Sequence, residues 1–195
     1  MLQLRTLSFK SQDGAALLLL DEQGNPCAFD RKTTRYTLQL ERASTSLTLC
    51  GAFTNENAAS PVGGGYYAEA NGTRYDSLAA VPISLDPQKD SELVSLTLGH
   101  EDTTCAPQTY KILVKKTDPV RVTFRAAPEQ ATVYLLDTQT NKRVEAQKDG
   151  SYLLVPGMRY EYTVTCAGYR AEHVAQYTAP SEQTVIPVTL QAAPE

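Results

Sequence analysis

The chain has 195 residues, which suits one large domain or two of ordinary size. Apolar residues make up 42% of it, enough to bury a core, and the formal net charge is −4. No run of Lys or Arg gives the basic face that nucleic acid requires, so the sequence argues against a nucleic-acid partner. The longest apolar run, residues 15–20, falls far short of the about 20 residues that span a bilayer, so we expect no membrane insertion within this segment.

Apolar and polar residues alternate with a period of two along most of the chain. The alternating runs lie at residues 36–41, 47–50, 94–98, 110–115, 120–125, 131–135, 160–165 and 186–190. This period predicts β-strands that place one face on a core and the other in water. Turn residues separate the runs, notably at 21–26, 137–142, 149–150 and 156–157. The sequence therefore predicts an all-β protein.

A domain boundary is predicted at residues 116–119. A charged strand end meets Pro119 there, and proline cannot donate a hydrogen bond to a β-ladder. A new alternating run begins at Val120. We therefore predict two tandem domains, residues 1–117 and 118–195, joined by a short linker. The stretch 51–82 is interpreted as a long insertion in the first domain.

The first domain resembles the bacterial cadherin-like β-sandwich domains. The run from Cys27 to Leu40 is similar to their opening, with an apolar strand, a Phe-Asp pair, a polar turn and a Tyr that starts the next strand. Residues 110–114, Tyr-Lys-Ile-Leu-Val, match their closing Tyr-x-Ile-x-Val strand. The resemblance covers residues 4–117.

Residues 119–191 resemble a different module, the PEGA-like and carboxypeptidase-regulatory-like β-domains. Residues 127–133 match the Pro-x-x-Ala-x-Val opening of those domains, although Gln130 stands where the strict motif has Gly. Residues 154–157 and 166–169 match their Pro-Gly and Gly-Tyr elements, and we expect Tyr169 to be buried. Together the two resemblances imply two tandem antiparallel β-sandwich domains of the immunoglobulin-like (Ig-like) class.

Both module types recur in multidomain bacterial surface proteins, as spacers, stalks or neighbours of adhesion and carbohydrate-binding domains. The resemblance implies a non-catalytic structural or adhesion module, on the cell surface or secreted, within a larger exported protein. The implied partners are the other domains of the parent protein, with glycans and host or cell-wall surface proteins as alternatives. A further alternative is an accessory role beside the catalytic domain of a secreted enzyme.

Residues suited to catalysis or metal binding are few and scattered. The two histidines, His100 and His173, lack a neighbouring nucleophile and acid signature. The candidate acids lie in polar, turn-like stretches: Asp86, Asp90, Glu92, Glu101 and Asp102. No pair of cysteines has the short spacing of a zinc site. We predict no catalytic residue, no metal site and no cofactor.

The four cysteines, Cys27, Cys50, Cys105 and Cys166, allow three disulfide pairings. Most lie in apolar, strand-like surroundings, which favours buried free thiols, and disulfides remain the alternative. An isopeptide crosslink would need a lysine in an apolar setting beside Asn and an acid. Lys111 lies in a strand, but no partner for it can be identified.

Residues 54–76 form the candidate binding segment. They carry Tyr66, Tyr67 and Tyr75 together with Asn, Asp and Arg side chains. Long loops on rigid sandwiches often carry function, and tyrosines beside polar groups can hold sugar rings or partner surfaces. One hypothesis is thus a carbohydrate-binding loop with these three tyrosines as the site. The other is an irregular insertion whose tyrosines pack back on the domain.

Overall fold

The computed structural model describes residues 3–53, 65–104 and 106–194. Within these ranges every regular element is a β-strand, which confirms the all-β prediction. The chain divides into two compact units, Met1–Lys116 and Thr117–Glu195. Each unit encloses a hydrophobic core of its own.

The first unit consists of two sheets. Its described strands are β1 (Leu4–Ser11), β2 (Ala16–Leu17), β3 (Arg35–Glu41), β4 (Ser46–Phe53), β5 (Tyr66–Ala70), β6 (Thr73–Tyr75), β7 (Val81–Ser84), β8 (Ser91–His100) and β9 (Gln108–Thr117). One sheet has the strand order β2-β1-β4-β7, and the other has the order β3-β9-β8-β5-β6. Residues of both sheets contribute to one core, so the unit is a β-sandwich.

The predicted alternation sets which side chains fill this core. In β9, Tyr110, Ile112 and Val114 are buried, while Lys111 and Lys115 between them are exposed. Because successive strand residues point to opposite faces, the pattern fixes both the register and the outer surface. Lys116 is also buried, although it is a lysine, because it follows Val114 on the inner face of β9.

The stretch 51–82, interpreted above as an insertion, contributes strands to both sheets. β5 and β6 form an antiparallel hairpin at the edge of the five-stranded sheet, and β7 pairs with β4 in the other sheet. Asn71 and Gly72 form the two-residue turn, with φ of 47° and 81°. Both residues of this turn need positive φ, which Asn-Gly adopts readily. Residues 54–64 of the predicted loop lie outside the described residues.

The second unit also consists of two sheets. Its described strands are β10 (Val120–Ala127), β11 (Thr132–Asp137), β12 (Lys142–Arg143), β13 (Tyr152–Leu154), β14 (Arg159–Thr165), β15 (Glu172–Thr178) and β16 (Thr184–Thr189). The strand orders are β13-β10-β16 and β12-β11-β14-β15. One pairing departs from the predicted antiparallel arrangement, because β10 and β16 run parallel. A parallel pair needs a long connection, and here the rest of the unit supplies it.

The second core is rich in aromatic rings. The ring of Phe124 meets those of Tyr152 and Tyr162 edge-on, with centroids 5.7 and 4.9 Å away. Edge-to-face contacts of this kind suit the ring quadrupole and fill a small core efficiently. The prediction of a buried Tyr169 is wrong, since its exposed fraction is 39%. Tyr169 lies in the turn beyond the end of β14, outside the strands that enclose the core, and its amide donates to the Cys166 carbonyl at 3.1 Å.

Candidate functional site

The three predicted site tyrosines lie on two different faces of the five-stranded sheet. Tyr66 and Tyr75 are half-buried and pack against the first core. Tyr75 lies directly opposite the buried Ala68, so both side chains belong to the inner face. Tyr67 points the other way, since it neighbours Tyr66 in the same strand. The sheet therefore does not bring the three rings together into one flat platform.

Tyr67 covers a glycine on the outer face of this sheet. It pairs with Gly99, and a Cβ built on Gly99 would overlap the tyrosine ring. The guanidinium of Arg74 lies 4.0 Å from the ring centroid, in cation–π contact, and its Nη1 is 3.6 Å from Glu101 Oε1. The ring is thus already in contact with strand backbone and with Arg74.

Both histidines are engaged in local contacts. The ring of Tyr66 meets His100 edge-on at 4.6 Å, and His100 Nδ1 accepts a hydrogen bond of 2.9 Å from the Asp102 amide. Hydrogen bonds from the Thr104 amide and hydroxyl, and then the nearby His100, lower the pKa of Asp102. These contacts organise the turn after β8.

His173 lies in the second unit, in a polar group on the outer face of β11, β14 and β15. Its Nδ1 is 2.9 Å from Thr163 Oγ1, and its Nε2 is 3.8 Å from Glu161 Oε1. Tyr134, with 47% of its surface exposed, pairs with Thr163 across the strands, and the Arg143 guanidinium lies 5.2 Å from its ring centroid. The group types match a catalytic triad, since a hydroxyl, an imidazole and a carboxylate follow one another. The surroundings do not match one. All three lie on the outer face of strands, with about half of the His173 side chain exposed.

The candidate acids of the first unit have structural partners. Glu92 Oε2 is 3.2 Å from Lys116 Nζ and accepts a 2.8 Å hydrogen bond from the Asp86 amide. Lys116 Nζ also donates to the Asp86 carbonyl. Asp90 pairs with Arg42. These carboxylates close the end of the sandwich, and no pair of them converges across a cleft as glycosidase chemistry would require.

The described cysteines are free thiols. Cys27, Cys50 and Cys166 are half-buried and unpaired, and Cys105 lies outside the described residues. Burial, and next the nearby Asp21 carboxylate, raise the pKa of Cys27, which keeps it in the unreactive thiol form. Across the described ranges, no group of three His, Cys, Asp or Glu side chains is placed to hold a metal ion. Lys111, the lysine considered for a crosslink, is exposed on the sheet.

The sequence interpretation missed a groove on the outer face of the five-stranded sheet. Its volume is about 340 Å³, and its walls are Glu22, Arg35, Tyr36, Thr37, Leu93, Lys111, Leu113 and Lys115. The alternation in β9 already placed Lys111, Leu113 and Lys115 on the outer face. Pairing with β8 then adds Leu93, which the sequence could not place beside Leu113.

No family model and no curated protein matches this chain. Within the described residues, no helix is long and apolar enough to cross a bilayer. Three solved structures share distant likeness. SGBP-B of the Bacteroides ovatus mixed-linkage glucan utilization locus, in complex with mixed-linkage heptasaccharide, is 10% identical with a TM-score of 0.27. The Bacillus anthracis TIE protein is 12% identical with a TM-score of 0.24, and Sidekick-1 immunoglobulin domains 1–5 are 9% identical with a TM-score of 0.27.

The alignments cover 76%, 79% and 93% of this chain in that order. They cover only 44%, 38% and 54% of the other three chains, so this chain spans about half or less of each. At these identities and TM-scores the likenesses carry no inference about function.

Proposed function

We propose that this chain is a non-catalytic structural or adhesion module of a bacterial cell-surface or secreted multidomain protein. One observation carries the proposal: the described groups that could do chemistry are engaged in contacts that hold the sandwiches together. Glu92 pairs with the buried Lys116, His100 meets the ring of Tyr66 edge-on, and the raised pKa of Cys27 keeps that thiol protonated. A cadherin-like first domain and a PEGA-like second domain are part of the same proposal.

Antibody labelling of intact source cells tests this proposal. An antibody raised against the chain should label unbroken cells or be enriched from the culture medium, and external protease should remove the cell-bound signal. An antibody to a cytoplasmic protein of the same cells is the control, since it should label only after lysis. Labelling of our chain that also required lysis would contradict the surface location.

Carbohydrate binding at the 54–76 segment is the second candidate. Its support is Tyr67, whose ring lies on the outer face of the sheet in contact with Arg74, which in turn pairs with Glu101. A glycan array should then lose signal with Tyr67→Ala and keep it with Tyr134→Ala, since Tyr134 is a more exposed tyrosine on the other unit. Equal signals from both variants would exclude Tyr67 as the contact. Tyr66 and Tyr75 are unsuitable for this test, because their removal would open the core.

An accessory role beside an absent catalytic domain is the third candidate. The chain by itself would then be inactive on every substrate of the parent enzyme. Comparing that enzyme with and without these two units, on soluble and on insoluble substrate, would test it. A loss confined to the insoluble substrate is the expected result.

A further inference from the structure

We propose that the outer face of the five-stranded sheet in the first unit is a docking surface for an acidic protein segment with an apolar side chain between two carboxylates. The surface, called the leucine–lysine face, consists of Leu93, Leu113, Lys111, Lys115, Ser91 and Ser95. The inference rests on the proposed function, since it names the class of partner that an adhesion or structural module would hold.

The centre of this face is apolar and open. Leu93 has 56% of its surface exposed, more than any other large hydrophobic residue described. It lies directly opposite Leu113 across β8 and β9. Single exposed leucines are ordinary, but two cross-strand leucines form a continuous apolar spot in the middle of a sheet. Water against this spot is released when a partner covers it.

The rim of the face is cationic. Lys111 and Lys115 flank Leu113 on the same side of β9 and pair with Ser95 and Ser91 on β8. Among the described residues no carboxylate lies within ion-pair distance of either ammonium. Glu22, which also lines the groove, lies 3.4 Å from Arg35 and pairs with it. Although the net charge is −4, this face exposes two lysines that form no ion pair with any described carboxylate, and the complement of two ammonium groups is an anion.

The spacing fits an extended polypeptide. The two lysines are four positions apart in the same strand, which places them about 13 Å apart with Leu113 midway. An extended segment with the pattern Glu-x-Leu-x-Glu puts its carboxylates at the same spacing and its leucine between them. Aliphatic side chains line the centre, whereas sugar rings are held by exposed aromatic faces. Tyr36 also borders the groove, but its side chain is buried in the first core and its hydroxyl donates to the Asp30 carbonyl. The face therefore favours a protein partner over an acidic polysaccharide.

NMR titration of the whole chain tests the proposal, because it detects weak binding residue by residue. The probe is the peptide Gly-Ser-Glu-Thr-Leu-Thr-Glu-Ser-Gly, and polygalacturonate is the second probe. We expect the peptide to shift the amide resonances of β8 and β9, with an affinity that falls as salt is raised. Replacing both Glu by Gln, or Leu by Ser, should each weaken binding.

Charge reversal of the face supplies the decisive comparison. The double variant Lys111→Glu with Lys115→Glu should weaken the acidic peptide about tenfold or more. The same variant should gain affinity for the Lys-x-Leu-x-Lys version of the peptide. The control Lys10→Glu, an exposed lysine of β1 in the other sheet, should behave as the unaltered chain does. Rescue by the reversed peptide cannot arise from misfolding.

Three results would overturn the proposal. They are unshifted β8 and β9 resonances at the highest peptide concentration, equal binding of the Gln peptide, and stronger shifts with polygalacturonate than with the peptide. The last result would assign the face to acidic polysaccharide. Failure here leaves the cell-labelling result unchanged. Peptide binding by a chain that proves internal to the cell would contradict the surface location alone.

Discussion

Removing the negative charge of Glu92 should destabilise the first unit far more than removing the positive charge of Lys116. The Lys116 side chain is fully buried, whereas 17% of the Glu92 side chain is exposed. At their 3.2 Å separation the attraction is about 5 kcal/mol with an effective dielectric constant of 20. Desolvation of the two ions, at several kcal/mol each, offsets that attraction. The pair therefore contributes little in itself, but a lone buried ammonium is costly.

The asymmetry predicts two different losses. Glu92→Ala should lower the free energy of unfolding of this unit by about 3 to 5 kcal/mol, because it leaves the ammonium without its counter-charge. Lys116→Met should lower it by about 1 kcal/mol, because the carboxylate keeps partial hydration and the hydrogen bond from the Asp86 amide. Glu92→Gln, which keeps an acceptor oxygen but removes the charge, should fall between them.

Hydrogen exchange in urea, followed by mass spectrometry on peptides from β8 and β9, measures these losses without interference from the second unit. The amide of Lys116, which donates to the Asp90 carbonyl at 2.7 Å, reports the end of the sandwich directly. An equal loss for Glu92→Ala and Lys116→Met would refute the argument. So would a Lys116→Met variant that is the less stable of the two.

Three further predictions concern other positions. Gly99→Ala should cost about 1 to 3 kcal/mol in urea unfolding, since the added methyl meets the Tyr67 ring, and Tyr67→Ala should relieve part of that cost; an unaffected midpoint would contradict the close contact. Burial, and then Tyr36 and Asp30, raise the pKa of Tyr110 from its ordinary 10 to about 12. The neutral Tyr110 side chain therefore adds at most about 3 kcal/mol to the free energy of unfolding, fully present below pH 10 and lost as the pH rises to about 12. In thermal melts, Tyr110→Phe should reduce the loss of stability over this pH range. An identical decline in both proteins would count against the raised pKa. Cys27 should be alkylated by iodoacetamide more slowly at pH 8.5 than in urea, and equal rates would contradict the raised pKa.

The alternation in the sequence was enough to place most strands and much of the core. Runs such as Tyr110, Ile112 and Val114 leave only one face that can be buried, whatever the partner strand. The same period, extended by one step, marks position 116 as buried. The charge of Lys116 predicts an exposed strand end instead, and the structure shows that the period is the better guide for this side chain. Its counter-ion Glu92 lies in another strand, so the sequence alone could not identify the pair.

The segment around Tyr66 shows where local signals were overlooked. Asn71-Gly72 is a strong hairpin signal, but the short strands on either side obscure the alternation. A hairpin with this turn places Tyr66 and Tyr75 on one face of the sheet and Tyr67 on the other, because side chains alternate along a strand.

The sequence by itself determined most of the longer strands, their inward faces and several turns, since these depend on residues close together in the chain. Only the tertiary structure decided which strands are neighbours. In the tertiary structure β10 is parallel to β16, Leu93 lies opposite Leu113, and the Arg74 guanidinium contacts the Tyr67 ring. Contacts between distant segments depend on strand order and register, and one pattern of alternation is compatible with several strand orders and registers. The candidate site could be identified only from the tertiary structure, because the neighbours of each exposed side chain come from other strands.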